Sequence, residues 1–282
     1  IGVRLVGSEM CIRDRLTLQG ITAQTTTKVM TYNIRLDVDS DGDNRWDKRK
    51  DLLANQVRFY EPDFMGVQEA LPQQMHYLDN TLSAYDFIGV GRDDGKEKGE
   101  FSAIFYNKDK YKIIKQSTFW LSQTPEKPGL GWDAACNRVC TYGLFENLKT
   151  KKKIWVFNTH FDHIGTTARM ESAKLILNKI KELNKEGYPF VLTGDFNLTE
   201  ENESIQRITG ELNDTRKVAK LVYGPDGTWN AFDFTKPVTE RLDYIFIPKK
   251  NITVTKYAIL SDNKDTHYYS DHLAVYSELE IK

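Results

Sequence analysis

Apolar residues follow two rhythms along this chain: short runs that end in polar residues, and longer stretches with helical spacing. The short runs cover 28–34, 64–67, 86–90, 102–106, 112–120, 138–148, 153–159, 190–193 and 241–247, with the lengths and flanking turn residues of strands. The stretch 46–60 carries apolar residues at 46, 53, 57 and 60, which predicts an amphipathic helix stopped by Pro62. Pro72 opens a second helix over 72–82, since proline suits a first helical turn. A third is predicted over 166–185, where Met170, Ala173, Leu175, Ile176, Leu177, Ile180 and Leu183 form one stripe before Gly187 and Pro189. A short helix is expected near Glu200, and 214–239 reads as an irregular loop anchored by Trp229 and Phe232. The block 269–276 predicts a closing strand opened by Asp271 and His272. With no internal repeat or linker, the pattern predicts one α/β domain of two packed sheets with helices outside.

Composition narrows the classes. A 282-residue chain with 40% hydrophobic and 12% aromatic residues supports a large core. A net charge of −1 supplies no global basic field for nonspecific nucleic-acid binding, though a local basic groove stays open. No run reaches the roughly 18 apolar residues of a membrane span. Residues 5–15 resemble a translated sequencing-adapter read, the alternative being a genuine tail; 16–24 resemble the end of a truncated secretory signal. Residues 1–27 are therefore expected to lie outside the domain, which would cover 28–282, and the mature protein is expected to be a secreted or periplasmic monomer. Cys136 and Cys140 would lie about 13 Å apart in a strand, too far to bridge, and are read as free.

Several apolar runs end in chemistry. In Val191-Leu192-Thr193-Gly194-Asp195-Phe196-Asn197, extended alternation would put Asp195 and Asn197 on one face beyond the strand; a turn with an Asx cap is the plainer reading. Asn33, Glu69, His160, Asp243, Asp271 and His272 also stand at the ends of, or inside, such runs. Each alone reads as a satisfied structural residue; together they predict a site. Carboxylate and carboxamide oxygens suit Mg2+, with Mn2+ the alternative, and paired cysteine ligands for structural zinc are missing. No Gly-x-Ser-x-Gly elbow occurs, so direct attack by water is expected. The Asp-rich stretch 37–43 reads as a solvated loop or a calcium loop lacking its final Glu. Lys149 and Lys151 to Lys153 read as a solvated turn or a phosphate contact.

The motifs Thr31-Tyr32-Asn33, Gln68-Glu69, Asn158-Thr159-His160, Gly194-Asp195-Phe196-Asn197, Leu242-Asp243-Tyr244 and Ser270-Asp271-His272 resemble, in order, those of the endonuclease/exonuclease/phosphatase superfamily, the deoxyribonuclease I-like fold. A small secreted bacterial branch is the nearest likeness. The resemblance implies a four-layer α/β sandwich, two mixed sheets flanked by helices, and a Mg2+-dependent phosphoester hydrolase, foremost a nuclease-like phosphodiesterase. The alternatives are a phosphomonoesterase on a small sugar or lipid-headgroup phosphate, and a non-catalytic binding module.

Roles carry over by position. Glu69 is implied as metal ligand, with Asn33 and Asp271. Asp195 would orient or deprotonate water, with Asn197 holding water or phosphate. His160 and His272 would contact phosphate oxygens, and Asp243 would orient His272. Arg138 would bind phosphate or make a surface ion pair; His163 would line the pocket or cap the helix after it, and Arg35 follows Asn33. The sequence lacks the Trp-x-Gly-Asp and Cys-Asp-Arg segments of the inositol-polyphosphate 5-phosphatases, having Leu192-Thr193-Gly194-Asp195 and Glu240-Arg241-Leu242-Asp243 instead.

Overall fold

The computed structural model describes residues 1–2 and 26–282. The adapter-like residues 5–15, Cys11 included, and the signal-like stretch 16–24 lie outside the described residues. Among those described, the chain begins with β1 (Thr26–Asn33), a 3-10 segment (Asp39–Asn44), α1 (Trp46–Tyr60), β2 (Phe64–Gln68), α2 (Pro72–Thr81), β3 (Tyr85–Ile88) and β4 (Ile104–Asn107). The middle holds β5 (Tyr111–Trp120), β6 (Val139–Asn147), β7 (Lys153–His160), α3 (Thr166–Leu183) and β8 (Phe190–Asp195). The last third holds α4 (Glu203–Glu211), β9 (Leu212–Asp214), α5 (Thr215–Val218), β10 (Leu221–Tyr223), β11 (Asp243–Pro248), β12 (Ile252–Ile259), β13 (Asn263–Lys264), β14 (His267–Tyr268) and β15 (Val275–Ile281).

One sheet runs β10-β12-β15-β1-β2-β4-β3 and the other β5-β6-β7-β8-β11-β9; β13 and β14 pair as a hairpin. Both large sheets are mixed, with β1–β2, β10–β12 and β7–β8 parallel. Strand alternation sorts the side chains into layers. Val29 of β1, Phe64 of β2, Val156 of β7, Val191 of β8 and Ile245 of β11 share the core between the sheets. Met30 and Tyr32 pack with Leu53 and Val57 of α1 on one outer face. Phe157 and Leu192 pack with Ile176 and Ile180 of α3 on the other. This is the four-layer α/β sandwich, with helices outside two facing sheets.

The sequence reading missed β12. A register shift between Val254 and Lys256 breaks the period-two pattern that would have marked it. The closing strand starts later than expected, at Val275. The 214–239 loop contains α5 and β10. Lys149, Lys151 and Lys152 lie in the turn between β6 and β7 and Lys153 opens β7, at the far end of that strand from His160. No described helix is long and apolar enough to cross a membrane.

Candidate active site

Register places the chemistry in one row. Asp195 at the end of β8 is the partner of His160 on β7 and of Asp243 on β11. All three continue the faces that form the inter-sheet core, so the carboxylates and imidazole open where that core ends. Asn33, the last residue of β1, donates from Nδ2 to Asp195 Oδ2 at 2.9 Å and to Glu69 Oε1 at 2.9 Å, tying the two sheets together. A second polar layer lies beneath. Gln68 Nε2 donates to Thr31 Oγ1 and Asn158 Oδ1, Thr193 donates to the same Asn158 oxygen, and Asn158 Nδ2 reaches the carbonyls of Val67 and Ala103. Gly66 leaves room for it, since a Cβ there would stand 2.3 Å from Asn158 Oδ1.

Three site residues do not follow strand alternation. Arg35, Glu69 and Asn197 have φ of 57°, 63° and 51°, the left-handed region that L side chains rarely occupy. Asn197 thus reaches the site through a turn, its N–H bonded to Asp195 Oδ1 at 2.8 Å, rather than by the shared strand face the sequence predicted. Such strain gathers where a fold must aim particular groups.

The electrostatics divide the roles. Burial, and then Asp243, push the Asp195 carboxyl up to about 7. His160 is held well below the usual imidazole range by burial and by Arg138 and Arg92, so it is neutral; its Nε2 accepts from Asn197 Nδ2 at 3.0 Å. Burial works against charge on His272, yet Asp243 and Asp195 raise it well above the ordinary value. Its Nδ1 donates to Asp243 Oδ2 at 2.8 Å, and Nε2 lies 3.8 Å from Asp195 Oδ2. Positive charge is therefore held at His272, not at both histidines.

These groups line a cavity of about 500 Å³ with an acidic and a basic half. On the acidic side Arg35 binds both oxygens of Asp41, one carboxylate of the Asp-rich loop, at 2.9 Å. Its Nη1 stands 4.0 Å from Glu69 and 3.7 Å from Asp271. On the basic side Arg138 is buried, its Nη2 3.2 Å from His163 Nδ1, and its Nε and Nη1 have no hydrogen-bond partner. His163 lines the cavity; the start of α3 is held instead by Asp133, which accepts from Thr167 and Ala168 N–H, while Asp162 binds the N–H groups of Ile164 and Gly165. Cys136 and Cys140 are free.

Sequence reasoning missed Arg49, Gln74, Arg92 and Glu100. Arg49 on α1 is buried and donates to the carbonyls of Ile34, Arg35, Asn44 and Tyr269, clamping the loops that carry Arg35 and Asp271. Its position three after Trp46 and four before Leu53, inside the apolar stripe, was the available signal. Gln74 ties α2 to the same loop through Arg35 O and Asp37 N–H. Arg92 and Glu100 pair at 2.6 Å on the cavity wall.

The residues fit a hard divalent cation. Glu69, His160 and Asp195 offer ligand atoms within 4.8 Å of one another, two of them carboxylate oxygens of the kind Mg2+ takes. Asp195's raised carboxyl marks negative charge that a cation would offset. Asn33 bridges Glu69 and Asp195 through its amide nitrogen, and Glu69 and Asp271, of the expected trio of Asn33, Glu69 and Asp271, both face Arg35 Nη1. A second cluster, Cys136, Asp162 and His163, holds the Arg138 guanidinium beside it, 3.6 Å from Asp162, a fixed cation that displaces a metal.

The sequence model described as the Endonuclease/Exonuclease/phosphatase family matches residues 30–272. A solved structure of a protein of that family from Bacteroides thetaiotaomicron superposes with a TM-score of 0.88 at 38% identity, covering 92% of this chain and 98% of that one. The mannosyl-6-phosphatase of the same organism superposes with a TM-score of 0.86 at 38% identity, covering 90% and 99%. The exoribonuclease subunit Ccr4 of the CCR4-Not complex of Mycosarcoma maydis is 23% identical over 84% of this chain and 46% of its own length; the chain thus spans less than half of that relative.

Proposed function

The chain belongs to the endonuclease/exonuclease/phosphatase family, whose named relatives are phosphoester hydrolases, and from that premise we propose that it hydrolyses a phosphate monoester carried by a sugar. The observation that carries this reading is Arg138: a buried guanidinium lining the cavity, whose Nη1 has no partner and whose Nε has no hydrogen bond and only the 3.6 Å ion pair with Asp162. A buried donor without a partner is costly, and a phosphate dianion between the two halves supplies one. The likeness to a mannosyl-6-phosphatase over nearly the whole of both chains supports a monoester.

Glu69 and Asp195 would hold Mg2+ or Mn2+ with Asp271 nearby, and the ion would neutralise phosphate charge and acidify water. The protein's own groups do the rest. Asp195, which lines the cavity 3.5 Å from His160 and 3.8 Å from His272, is suited to orient water or take its proton. Asn197 fixes its carboxylate through the backbone N–H. His272, kept cationic by Asp243, faces the charge that develops on the phosphoryl oxygens, where fixed donors act most strongly. His160, being neutral, orients Asn197 rather than supplying charge.

The nuclease-like diesterase is the second reading, favoured by the exoribonuclease relative. Mannose 6-phosphate, p-nitrophenyl phosphate, bis-p-nitrophenyl phosphate and single-stranded RNA, each with Mg2+, Mn2+ or EDTA, separate the two. Cation-dependent release of phosphate from the monoesters, lost in Asp195→Ala, is expected. Cleavage of diesters alone would move the assignment to the second reading, and unchanged turnover in Asp195→Ala would remove both.

A further inference from the structure

A second cavity, of about 550 Å³, adjoins the catalytic one, and Glu240 lines both. The same two segments pass from one to the other. After β8, Asn197 lines the first cavity and Thr199 to Glu201 the second; before β11, Leu242 lines the first and Arg241 the second. Its size falls within the range of small-molecule sites, and a substrate held at Asp195 and His272 would lead its remaining part toward it. We propose that this cavity binds the neutral, hydroxyl-rich extension of the substrate, a further saccharide unit beyond the phosphorylated one. The inference rests on the phosphoester hydrolase reading above.

The charges decide against a polyanion. Each cation on these walls is already paired with a carboxylate: Arg216 with Asp226 at 2.5 Å, Lys217 with Glu200 at 2.9 Å, and Arg241 with Glu200 at 2.8 Å and Asp214 at 2.7 Å, so that the Nε and Nη1 of Arg241, which lack a hydrogen bond, belong to a guanidinium whose charge two carboxylates already meet. Arg241 also lies over the Tyr244 ring. Glu201 and Glu240 add two more carboxylates. A nucleic-acid strand would bring its next phosphates against this surface with no cation left to meet them, the reverse of the basic track that such strands need. Val222 is the apolar side chain lining the cavity, so a lipid tail finds little to cover. Carboxylates and threonine hydroxyls at Thr199 and Thr239 instead offer acceptors and donors to sugar hydroxyls, and hydrogen bonds to charged groups are the stronger ones.

The test compares mannose 6-phosphate with the 6-phosphorylated disaccharide of mannose, using p-nitrophenyl phosphate as the minimal substrate. Glu201→Ala and Thr239→Ala lie on the exposed wall, away from the reacting groups. The intact protein should show a KM about tenfold lower for the disaccharide phosphate, the scale of one charged hydrogen bond. Each variant should raise that KM several-fold while kcat and p-nitrophenyl phosphate turnover stay unchanged. Equal KM for the two sugar phosphates, or a preference that survives both variants, would overturn the second subsite while leaving the hydrolase reading intact. A preference for a 5′-phosphorylated oligonucleotide over the disaccharide phosphate would overturn it too. No turnover of p-nitrophenyl phosphate or either sugar phosphate would overturn the monoesterase reading, and this inference with it.

Discussion

Asp195 and Asp243 are register partners across the β8–β11 ladder, two buried carboxylates that share one histidine. His272 bonds Asp243 at 2.8 Å and stands 3.8 Å from Asp195. Burial disfavours the charged form, and one imidazolium cannot offset two like charges in full, so Asp195 holds its proton up to about 7. The sign follows. A carboxyl raised in the folded state favours folding while protonated, and that contribution is lost as pH rises from about 4 through about 7.

Asp195→Asn should therefore stabilise the cation-free protein while abolishing turnover. At about pH 8 in EDTA, urea unfolding should show a gain of roughly 2–4 kcal/mol, closing toward about pH 4; kcat should fall by at least about a thousandfold. A variant that is less stable than the parent at alkaline pH would show that the pair is not strained.

Asp243→Asn tests the other partner. Without the carboxylate at Nδ1, His272 loses the largest source of its raised protonation. A histidine raised in the folded state contributes stability that is complete below about pH 6.5 and lost as pH rises through its folded value. The variant should lose roughly 10–100-fold in kcat, the usual effect of removing a histidine's orienting carboxylate, and the deficit should widen from about pH 6 to about pH 8. A pH-independent deficit in the kcat profile would leave Asp243 with a structural part alone.

Much of this site was legible because its residues interrupt apolar strands. Asn33, His160 and Asp195 stand where a run of core residues stops, and strand geometry then carries them to one rim. Glu69 and Asn197 were recognised as residues but not as geometry, since a left-handed φ leaves no mark in a non-glycine sequence. The basic half was less visible. Arg138 and Arg92 come together from loops far apart in the chain, and Arg49 hides in a helix stripe as one more arginine. Among the strands, β12 was lost to its bulge at Thr255, and the segment before β15 read as strand because the apolar Leu273 and Ala274 run straight into it, although it leaves the ladder at Asp271 and His272.

Gly66→Ala probes the polar layer beneath the site. Its Cβ would stand 2.3 Å from Asn158 Oδ1 and 2.4 Å from Thr193 Oγ1, both buried and already hydrogen-bonded, so neither can withdraw cheaply. The expected loss is about 3 kcal/mol, the upper part of the range for overpacking, read from urea unfolding. A loss under about 0.5 kcal/mol, ordinary for a surface change, would mean that the layer is loose.

Asp162 organises the wall that carries Arg138 and His163. It is buried, and its backbone N–H partners at Gly165, Ile164 and Ala135 overcome the burial that would raise it, bringing the carboxyl down to about 2. A depressed carboxyl stabilises above its unfolded value and loses that contribution as pH falls through its folded one. Asp162→Ala should cost about 2 kcal/mol at neutral pH, with the gap to the parent narrowing from about pH 4 to about pH 2. A gap that does not change with pH would assign the cost to packing.

Cation binding has a signature independent of turnover. A ligand that binds the folded state alone stabilises it by about 2.7 kcal/mol at a hundred times its Kd, so Mg2+ should raise the Tm by several degrees over EDTA in the parent. Glu69→Gln keeps an oxygen for the Asn33 Nδ2 hydrogen bond, now 2.9 Å long, but removes the charge that faces Arg35 and the proposed ion. Its fold should survive and its Mg2+-dependent rise in Tm should vanish. The same rise in parent and variant would place the cation elsewhere, whereas loss of the folded state would be read from circular dichroism and answered with Glu69→Asp, which restores the charge and should restore part of the shift.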